Sequence, residues 1–375
     1  MAKRKYHIGI SGSYGGLNLG DEAILQCIIQ ELRNTLPVAI TVFSRNANDT
    51  LARHHVDKAV DVRKFSLNEI RPEIEKLDLF VLGGGGILYD ADVKDYLREA
   101  IIAREMNIPV MTYAIGAGPL KDPAMQALVK DTLETVNVIT VRERNAQRLL
   151  EGIGIKKEII VTADPALLLK PEPVPENVLA TEGIEGRKLV GISVREPGAA
   201  APDLDEKVYH ALLANAADFI VDRLDADVVF IPLERHSLDL QHSHSVVSLM
   251  LKPQRATILK GDYTSGQLLT IMSRLHFAVG MRLHFLIFAA LQKVPFVALP
   301  YASKVEGFLE ALEFPMPPIQ LVNAGRLIAH IDFYWDIKSQ LKKRISNKLP
   351  ELKKKAQETN RILVRLINET YDEAF

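Results

Sequence analysis

An arginine and a histidine two residues apart form the most informative chemical pair in this sequence. Arg282 and His284 follow a short apolar run that ends at Gly280, where a strand is expected to give way to a helix. Arginine is a permanently charged donor for carboxylates and phosphates, and histidine exchanges protons near neutral pH. The pair therefore suits an anionic substrate that needs acid catalysis. The alternative is that His284 is a core histidine beside Phe285.

Three further places carry a cation or a phenol at the expected end of a strand. Arg142 and Arg144 open a helix after one strand, where paired guanidinium groups can clamp a carboxylate or a phosphate. The alternative for this pair is a salt-bridge cluster with Glu143. The other two places present Arg195, in the second half of the chain, and the pair Tyr301 and Lys304.

A glycine-rich loop at residues 12–22 separates the first expected strand from the first helix. Glycine lets the backbone approach a ligand closely, and the N–H groups of a helix start favour anions and sugar hydroxyls. The loop lacks the G-x-G-x-x-G spacing of dinucleotide-binding domains, and the chain contains no G-x-x-x-x-G-K-[ST] phosphate loop. Asp21 and Glu22 either cap the helix only or also contact a ligand. The other candidates for ligand contact are Gly15, Gly16 and Asn18.

Four consecutive glycines at 83–86 follow another expected strand. Because glycine loses much conformational entropy on folding, such a run needs a specific reason. One interpretation is a tight strand–helix crossing. The other, which we favour, is a floor on which a ligand lies against the backbone of Gly84 and Gly85. A similar loop is expected at 116–119.

Three histidines, His236, His242 and His244, surround Asp239 in the second half of the chain. We expect no metal there, because neither an H-E-x-x-H pattern nor a cysteine partner accompanies them. Contact of one of these histidines with a ligand is the more plausible role.

The composition limits the classes of function. The chain has 375 residues, a formal net charge of -1 and a single cysteine, Cys27. A nucleic-acid binder would usually show a basic excess, and one cysteine forms no internal disulfide; its apolar helical setting predicts a small core residue. The longest apolar run, Phe285–Leu291, is too short to span a membrane, and the N-terminal apolar run is too short for a signal peptide. We therefore expect a cytoplasmic protein.

The elements that position these residues alternate along the chain. Apolar strand-like runs and helix-like segments follow one another in both halves, which predicts parallel sheets covered by helices. Three prolines within 170–176 indicate a semi-rigid linker. The predicted class is α/β, with two Rossmann-like parallel-sheet domains, 1–169 and 177–335, facing a cleft. Ligands bind beyond the carboxyl ends of strands in such sheets, which is where the candidate residues fall.

The C-terminal segment, 336–375, is basic and has an apolar stripe at helical spacing that Pro350 is expected to interrupt. We expect one or two surface helices that pack by the stripe and leave a basic face in solvent. The alternative is weak attraction to an anionic membrane surface or to a lipid-phosphate-linked glycan, at the inner face of the membrane.

Taken in order, these segments resemble the polysaccharide pyruvyl transferase family, especially its cell-wall and surface-layer anchoring branch. The similarity spans about residues 6–312, and its most specific stretches are the first and the last. The matching stretches are Ile10–Leu25, Leu82–Leu88, Tyr113–Pro119, Val141–Glu143, Ala163–Pro165, Gly191–Arg195, Gly280–His284 and Pro300–Lys304.

The resemblance implies a glycosyltransferase-B-like pair of domains and transfer of a pyruvyl group from phosphoenolpyruvate to two hydroxyls of a glycan, which is lipid-linked or polymeric. Phosphoenolpyruvate is then a donor substrate, and no cofactor is expected. On this resemblance, Arg142, Arg282 and Lys304 hold the anionic groups of the donor, and His284 is the general acid or a phosphate contact. Asp21 or Glu22 would orient or deprotonate the acceptor hydroxyl.

Three other classes of protein remain possible on the sequence. A nucleotide-sugar glycosyltransferase would share the architecture and prefer a nucleoside diphosphate sugar. A non-catalytic anion or glycan sensor would bind ligand without releasing phosphate. A metal-dependent hydrolase built on the histidine cluster is the least favoured.

Overall fold

The computed structural model describes residues 4–195, 205–234, 238–314 and 316–371. The chain divides into two compact units, of which unit 1 comprises Met1–Leu169 with Leu352–Phe375 and unit 2 comprises Lys170–Glu351. The first division coincides with the start of the proline-rich segment 170–176. The residues after 351 belong to unit 1 although they are far from it in sequence.

Unit 1 contains two parallel sheets. The first has the strand order β3-β2-β1-β4-β6, with β1 at Tyr6–Ser11, β2 at Val38–Ser44, β3 at Lys58–Asp61, β4 at Leu79–Leu82 and β6 at Val110–Thr112. The second has the order β5-β7-β8-β9, with β5 at Gly85–Leu88, β7 at Ile115–Ala117, β8 at Ile139–Val141 and β9 at Ile159–Val161. The central strands are almost completely buried, as apolar parallel strands require.

Helices connect these strands. They are α1 (Leu19–Thr35), α2 (Ala47–Arg53), α3 (Leu67–Ile74), α4 (Val93–Glu105), α5 (Pro123–Thr135) and α6 (Arg144–Gly152). Helix α1 begins after Asn18, whose side chain accepts a hydrogen bond from the N–H of Gly20 at 3.0 Å. The N-terminal cap of α1 is therefore Asn18.

Unit 2 has one five-stranded parallel sheet in the order β12-β11-β10-β13-β14. Its strands are β10 (Leu189–Ser193), β11 (Asp227–Phe230), β12 (Ala256–Ile258), β13 (Phe277–Gly280) and β14 (Phe296–Ala298). Its helices are α7 (Val178–Thr181), α8 (Glu206–Leu224), α9 (Leu238–Leu249), α10 (Ser265–Met272), α11 (Leu283–Leu291), α12 (Ser303–Ala311) and α13 (Ala324–Asp336). The prediction of a parallel-sheet α/β fold in both halves of the chain is confirmed.

The last helix, α14, runs from Lys338 to Tyr371 without a break. The expected interruption at Pro350 was wrong, because this proline lies inside the helix. An uninterrupted apolar stripe accounts for the continuity: Leu341, Ile345, Leu349, Leu352, Ala356, Leu363 and Ile367 are all buried. None of the described helices combines the length and apolar character needed to cross a bilayer.

The glycine run 83–86 differs from the expected loop. Its second half, Gly85 and Gly86, begins β5, so that the chain leaves the first sheet after β4 and enters the second one almost at once. Gly85 has φ +97°, a value that side-chain-bearing residues avoid and that permits this abrupt change of direction. A similar break between β6 and β7 contains Ala114 at φ +49°. The segment 116–119 likewise begins within β7 and is not wholly a loop.

Candidate functional site

The carboxyl edge of the unit 2 sheet carries several of the residues singled out from sequence. Strands β10, β13 and β14 are neighbours, with Ser193 in register with Gly280 and Gly280 in register with Ala298. Their ends therefore lie side by side. The residues that follow these three strands include Arg195 after β10, Arg282 after β13, and Tyr301 and Lys304 after β14.

Tyr301 is the centre of this group. Its side chain is buried, and its hydroxyl accepts a hydrogen bond of 2.5 Å from Nη1 of Arg195. The Arg195 guanidinium lies 5.0 Å from the ring centroid, and Nζ of Lys304 lies 5.7 Å from it. Burial alone would raise the pKa of Tyr301, but the charges of Lys304, Arg195 and Arg282 prevail and lower it to about 8.

Arg282 is buried and is held by two carboxylates. Its Nη2 donates to Asp239 at 2.5 Å and to Glu234 at 2.8 Å. Asp239 is fully buried and also accepts the backbone N–H groups of Leu233 and Glu234, both at 3.1 Å. Burial would lower the pKa of Arg282, but Asp239 outweighs that effect and raises it. The guanidinium is therefore permanently charged and fixed in place.

Two polar atoms at this edge, one of them on Arg282 itself, keep unused hydrogen-bonding capacity. Within the described part of the chain, Nε of Arg282 and Oγ of Ser193 are buried without a hydrogen-bond partner. The two residues end, or follow, the neighbouring strands β10 and β13. Buried polar groups are nearly always hydrogen-bonded in proteins, so a ligand that reaches this edge has a donor and a hydroxyl to bind.

His284 is the second residue of α11, directly after Arg282, which is the N-terminal flanking residue of that helix. From Leu283 to Ala290 every residue of α11 is buried except His284, which is partly exposed. The helix is therefore anchored in the core on all other sides, and its start is rigidly placed. His284 therefore differs from its apolar neighbours, such as the buried Phe285, in being partly exposed.

The other histidines are arranged differently from a metal site. His242 lies in α9 and packs against α8, where its Nδ1 is 2.8 Å from both the Tyr209 hydroxyl and Nε2 of His210. His244 points away and is exposed, and His236 lies outside the described residues. Among the residues that the structure describes, no group of three or more acidic, histidine or cysteine side chains is placed to hold a metal ion.

Unit 1 contains a second buried arginine held by two carboxylates. Nε of Arg142 donates to Glu143 at 2.8 Å and Nη1 donates to Asp164 at 2.9 Å. Burial would lower the pKa of Arg142, but these two carboxylates raise it. The salt bridge with Glu143 that sequence offered as an alternative is therefore present, with Asp164 as an additional partner. Nη2 of Arg142 has no hydrogen bond to any described residue.

Glycines make room for this guanidinium. Gly86 of β5 and Gly116 of β7 are paired in register, and both lie against Nη2 of Arg142. A Cβ atom added at Gly116 would lie 2.8 Å from Nη2, and one added at Gly86 would lie 3.4 Å from it. Gly86 is exposed, so the guanidinium lies beneath a stretch of backbone that is open to solvent.

Replacing Gly116 with alanine is expected to lower the free energy of unfolding by about 1–3 kcal/mol, because the new methyl group displaces an arginine that two carboxylates hold in place. Chemical denaturation followed by circular dichroism measures the change. The matched control is Gly152→Ala in α6, where a Cβ atom meets nothing within 4 Å. There we expect no loss, since alanine is the better helix former. Equal effects at the two positions would contradict the packing account.

The two acidic residues at the start of α1 have different surroundings. Glu22 is buried, accepts the N–H of Gly15 at 2.9 Å and lies 2.7 Å from Nε2 of His54, so it fixes the loop. Asp21 is partly exposed and makes no hydrogen bond or ion pair with the described residues. Its Oδ1 lies 3.3 Å from the position of a Cβ atom at Gly85, which places it beside the break between β4 and β5.

The remaining glycine candidates divide in the same way. Gly15 has φ +71°, and a Cβ atom there would lie 2.3 Å from Oγ of Ser44. Gly84 packs against Ile24, so that a Cβ atom would lie 2.7 Å from that side chain. Both are buried and have packing reasons to be glycine. Gly16 and the capping residue Asn18 are partly exposed.

Three residues of this region were missed in the sequence. Tyr14 is fully buried, its hydroxyl has no hydrogen-bond partner among the described residues, and burial followed by Asp21 raises its pKa. Arg45 directly follows β2, its Nη1 lies 3.5 Å from a Cβ position at Gly16, and it donates to the Tyr96 hydroxyl. Asp164 holds Arg142. The only local signals were a tyrosine inside a glycine loop and charged residues directly after strands.

Several solved structures share this architecture. Similarity extends to S. aureus MnaA in a co-structure with UDP (TM-score 0.66, 12% identity, 98% of this chain and 97% of that chain covered). It extends also to a glycosyltransferase from Rickettsia africae (0.63, 14%, 98% and 99%) and to UDP-GlcNAc 2-epimerase from Methanocaldococcus jannaschii (0.61, 15%, 96% and 100%). At such identities the likeness is one of fold, and the fold is that of the glycosyltransferase-B and epimerase group.

The sequence shows which family the chain belongs to. A family model described as polysaccharide pyruvyl transferase matches residues 18–303, and the chain belongs to this family. The matched range includes Asn18, Arg282, His284 and Tyr301, and it ends one residue before Lys304. A relative with 20% identity over 297 residues is the amylovoran biosynthesis protein AmsJ of Erwinia amylovora, with 74% of this chain and 71% of AmsJ covered.

Proposed function

We propose that the protein transfers a pyruvyl group from phosphoenolpyruvate to two hydroxyls of a glycan, forming a ketal and releasing phosphate. The observation that carries this proposal is the group of cations at the carboxyl edge of the unit 2 sheet. Arg195, Arg282 and Lys304 act on the single phenol of Tyr301, and partly exposed His284 begins the adjacent helix. A donor with one carboxylate and one phosphate needs several fixed cations, and this edge supplies them.

The reaction assigns a proton to each step. His284 delivers a proton to the methylene carbon of the donor, and the adjacent carbon, now electron-deficient, forms a bond with the first hydroxyl oxygen of the glycan. The proton of that hydroxyl passes to a base. The second hydroxyl oxygen then displaces phosphate from the same carbon, and its proton leaves with the phosphate. The base then releases its proton to solvent and His284 takes one up from solvent, which restores both groups.

For the base we propose Asp21 of unit 1. It is a partly exposed carboxylate that makes no hydrogen bond with the described residues, and it stands in the first turn of α1 beside the break between β4 and β5. Glu22 is less suited, because the Gly15 N–H and His54 occupy its two oxygens. Nη2 of Arg142, under the exposed backbone of Gly86, offers a donor for a hydroxyl or carboxylate of the acceptor.

The acceptor class is proposed more broadly. The resemblance to the cell-wall and surface-layer branch and the similarity to a protein of amylovoran biosynthesis both support a polymeric or lipid-linked glycan. The exposed lysines of α14, among them Lys342, Lys343, Lys354 and Lys355, support weak contact with an anionic surface on which such a glycan is carried. On this proposal the protein works in the cytoplasm, at the inner face of the membrane.

Donor binding provides the first test and needs no knowledge of the acceptor. Thermal unfolding is measured with phosphoenolpyruvate, pyruvate, phosphate and several nucleotide sugars, for the natural protein and for Lys304→Met. Lys304 is the suitable position, because Arg282 also neutralises the buried Asp239. A ligand at about 100 times its dissociation constant stabilises by about 2.7 kcal/mol. We expect stabilisation by phosphoenolpyruvate, its loss in Lys304→Met, and its retention in the control Lys260→Met, an exposed lysine of the same unit.

Stabilisation by a nucleotide sugar in place of phosphoenolpyruvate would contradict the proposal and favour a glycosyltransferase. That second candidate is supported by the fold alone, since similar structures were solved with UDP or UDP-GlcNAc bound.

A further inference from the structure

Three positively charged side chains act on Tyr301. Arg195 reaches it from the end of β10, Lys304 from the first turn of α12 and Arg282 from the end of β13. Two acids, Glu234 and Asp239, are bound to Arg282 and offset that cation in part. The net field at the phenol oxygen therefore comes mainly from Lys304 and Arg195. A phenol oxygen in this position has the same partners that a phosphate or carboxylate oxygen would seek.

We propose that Tyr301 is an internal counter-ion of the donor site at alkaline pH: Arg195 and Lys304 hold its oxygen, and the ionised form of Tyr301 takes up a proton when an anionic donor binds to the same cations. The step forms one O–H bond on the phenol with a proton from solvent. The inference rests on the proposed anionic donor of unit 2 and adds a residue that senses its arrival.

The charges around Tyr301 explain why anion binding changes the protonation of its phenol. Without an anion, the cations lower the pKa of Tyr301 to about 8 despite its burial. An anion that binds to Lys304 and Arg195 offsets their charge and adds its own repulsion, so the pKa of Tyr301 rises to about 10 or above, the ordinary value of a tyrosine. Because a proton on Tyr301 then favours the anion, binding and protonation are linked.

The pKa of Tyr301 before and after anion binding sets how many protons are taken up at a given pH. At about pH 9, some nine-tenths of Tyr301 is ionised before binding and about one-tenth or less afterwards, so about 0.8 proton is taken up per site. At about pH 7 the uptake is only about 0.1 proton. The dissociation constant of the anion accordingly becomes about tenfold larger between these two pH values. The arginines remain protonated throughout, so they take up no proton.

Tyr301 and not Lys304 is the group expected to titrate. Lysine next to an anion becomes harder to deprotonate, and its ordinary pKa of about 10.4 already lies above the pH range used. Removal of the phenol hydroxyl alone, in Tyr301→Phe, therefore isolates the contribution.

Titration calorimetry with inorganic phosphate and with phosphoenolpyruvate tests the inference, in buffers of different ionisation enthalpy at about pH 7 and about pH 9. We expect proton uptake and a weaker dissociation constant at the higher pH for the natural protein. Tyr301→Phe is expected to lose both effects. Tyr263→Phe is the matched control, a buried tyrosine of the same unit that donates to Glu182, and should keep both.

Tyrosinate absorbance without any ligand gives an independent readout. The natural protein should show one tyrosine that titrates near pH 8, absent in Tyr301→Phe. Absence of that titration, or binding at about pH 9 without proton uptake, overturns the inference and leaves the proposed donor intact. Uptake on binding phosphate but no binding of phosphoenolpyruvate supports the inference and overturns the proposed donor.

Discussion

Replacing Arg142 with methionine is expected to lower the free energy of unfolding by about 4 kcal/mol. The change leaves two buried carboxylates, Glu143 and Asp164, without the cation that both contact. Removing one partner of a buried ion pair costs about 3–5 kcal/mol, because the remaining charge stays in a poorly solvated place. Methionine keeps most of the apolar stem, so lost packing contributes little. Urea denaturation followed by circular dichroism measures the loss.

The double variant Arg142→Met with Asp164→Asn distinguishes stranded charge from lost packing. Oδ1 of Asp164 also accepts the N–H of Ala166 at 3.0 Å, and asparagine keeps an oxygen for that bond. Neutralising this one of the two carboxylates should recover about half of the loss. If the double variant loses the sum of the two single losses in free energy of unfolding, the charge explanation is wrong. The arginine then matters through its contacts alone.

The second large effect concerns catalysis. Changing His284 to glutamine is expected to lower the turnover number by about 10²–10⁴, the usual contribution of a general acid. Glutamine keeps a hydrogen-bonding group of similar reach and cannot transfer a proton. His284 is partly exposed but its Nε2 atom is buried, so we expect the free energy of unfolding to fall by about 1 kcal/mol or less. Release of phosphate from phosphoenolpyruvate, in the presence of an accepting glycan, is the measured quantity.

The control for this change is His330→Gln, a partly exposed histidine of α13 in the same unit, which should leave turnover intact. Full turnover in His284→Gln would exclude the acid role. An unchanged turnover number with a much higher KM for phosphoenolpyruvate would assign His284 to phosphate contact. A large loss of stability would return it to the core, beside Phe285.

The fold was predictable from sequence where strands read as apolar runs between glycines and helix patterns. Runs such as Leu189–Ser193 and Phe277–Gly280 are buried on both faces, so their composition reflects their position. The glycines of β5 were not predictable as a strand, because glycine has no side chain whose pattern could reveal its sheet. Pro350 was read as a break because the local cost of proline was visible and the continuous burial of the stripe along α14 was not.

The site was predictable only as far as sequence neighbours reach. Arg282 and His284 are two residues apart in the chain and both follow the end of β13, so their proximity follows from the sequence. Their partners do not. Asp239 is 43 residues before Arg282 in the chain, and the contact arises because β11 and β13 flank β10 in one sheet. The Asp164 contact with Arg142 has the same origin, since β8 and β9 are neighbours.

The glycine pair beside Arg142 restricts which substitutions this protein can accumulate. Gly86, Gly116 and Arg142 share one small volume, in which a methyl group at Gly116 and the guanidinium exclude each other. A substitution at one of these positions therefore changes which residues the other two accept. Such epistasis predicts that a viable path away from the present trio shortens position 142 first, and that Glu143 and Asp164 must lose charge at the same stage.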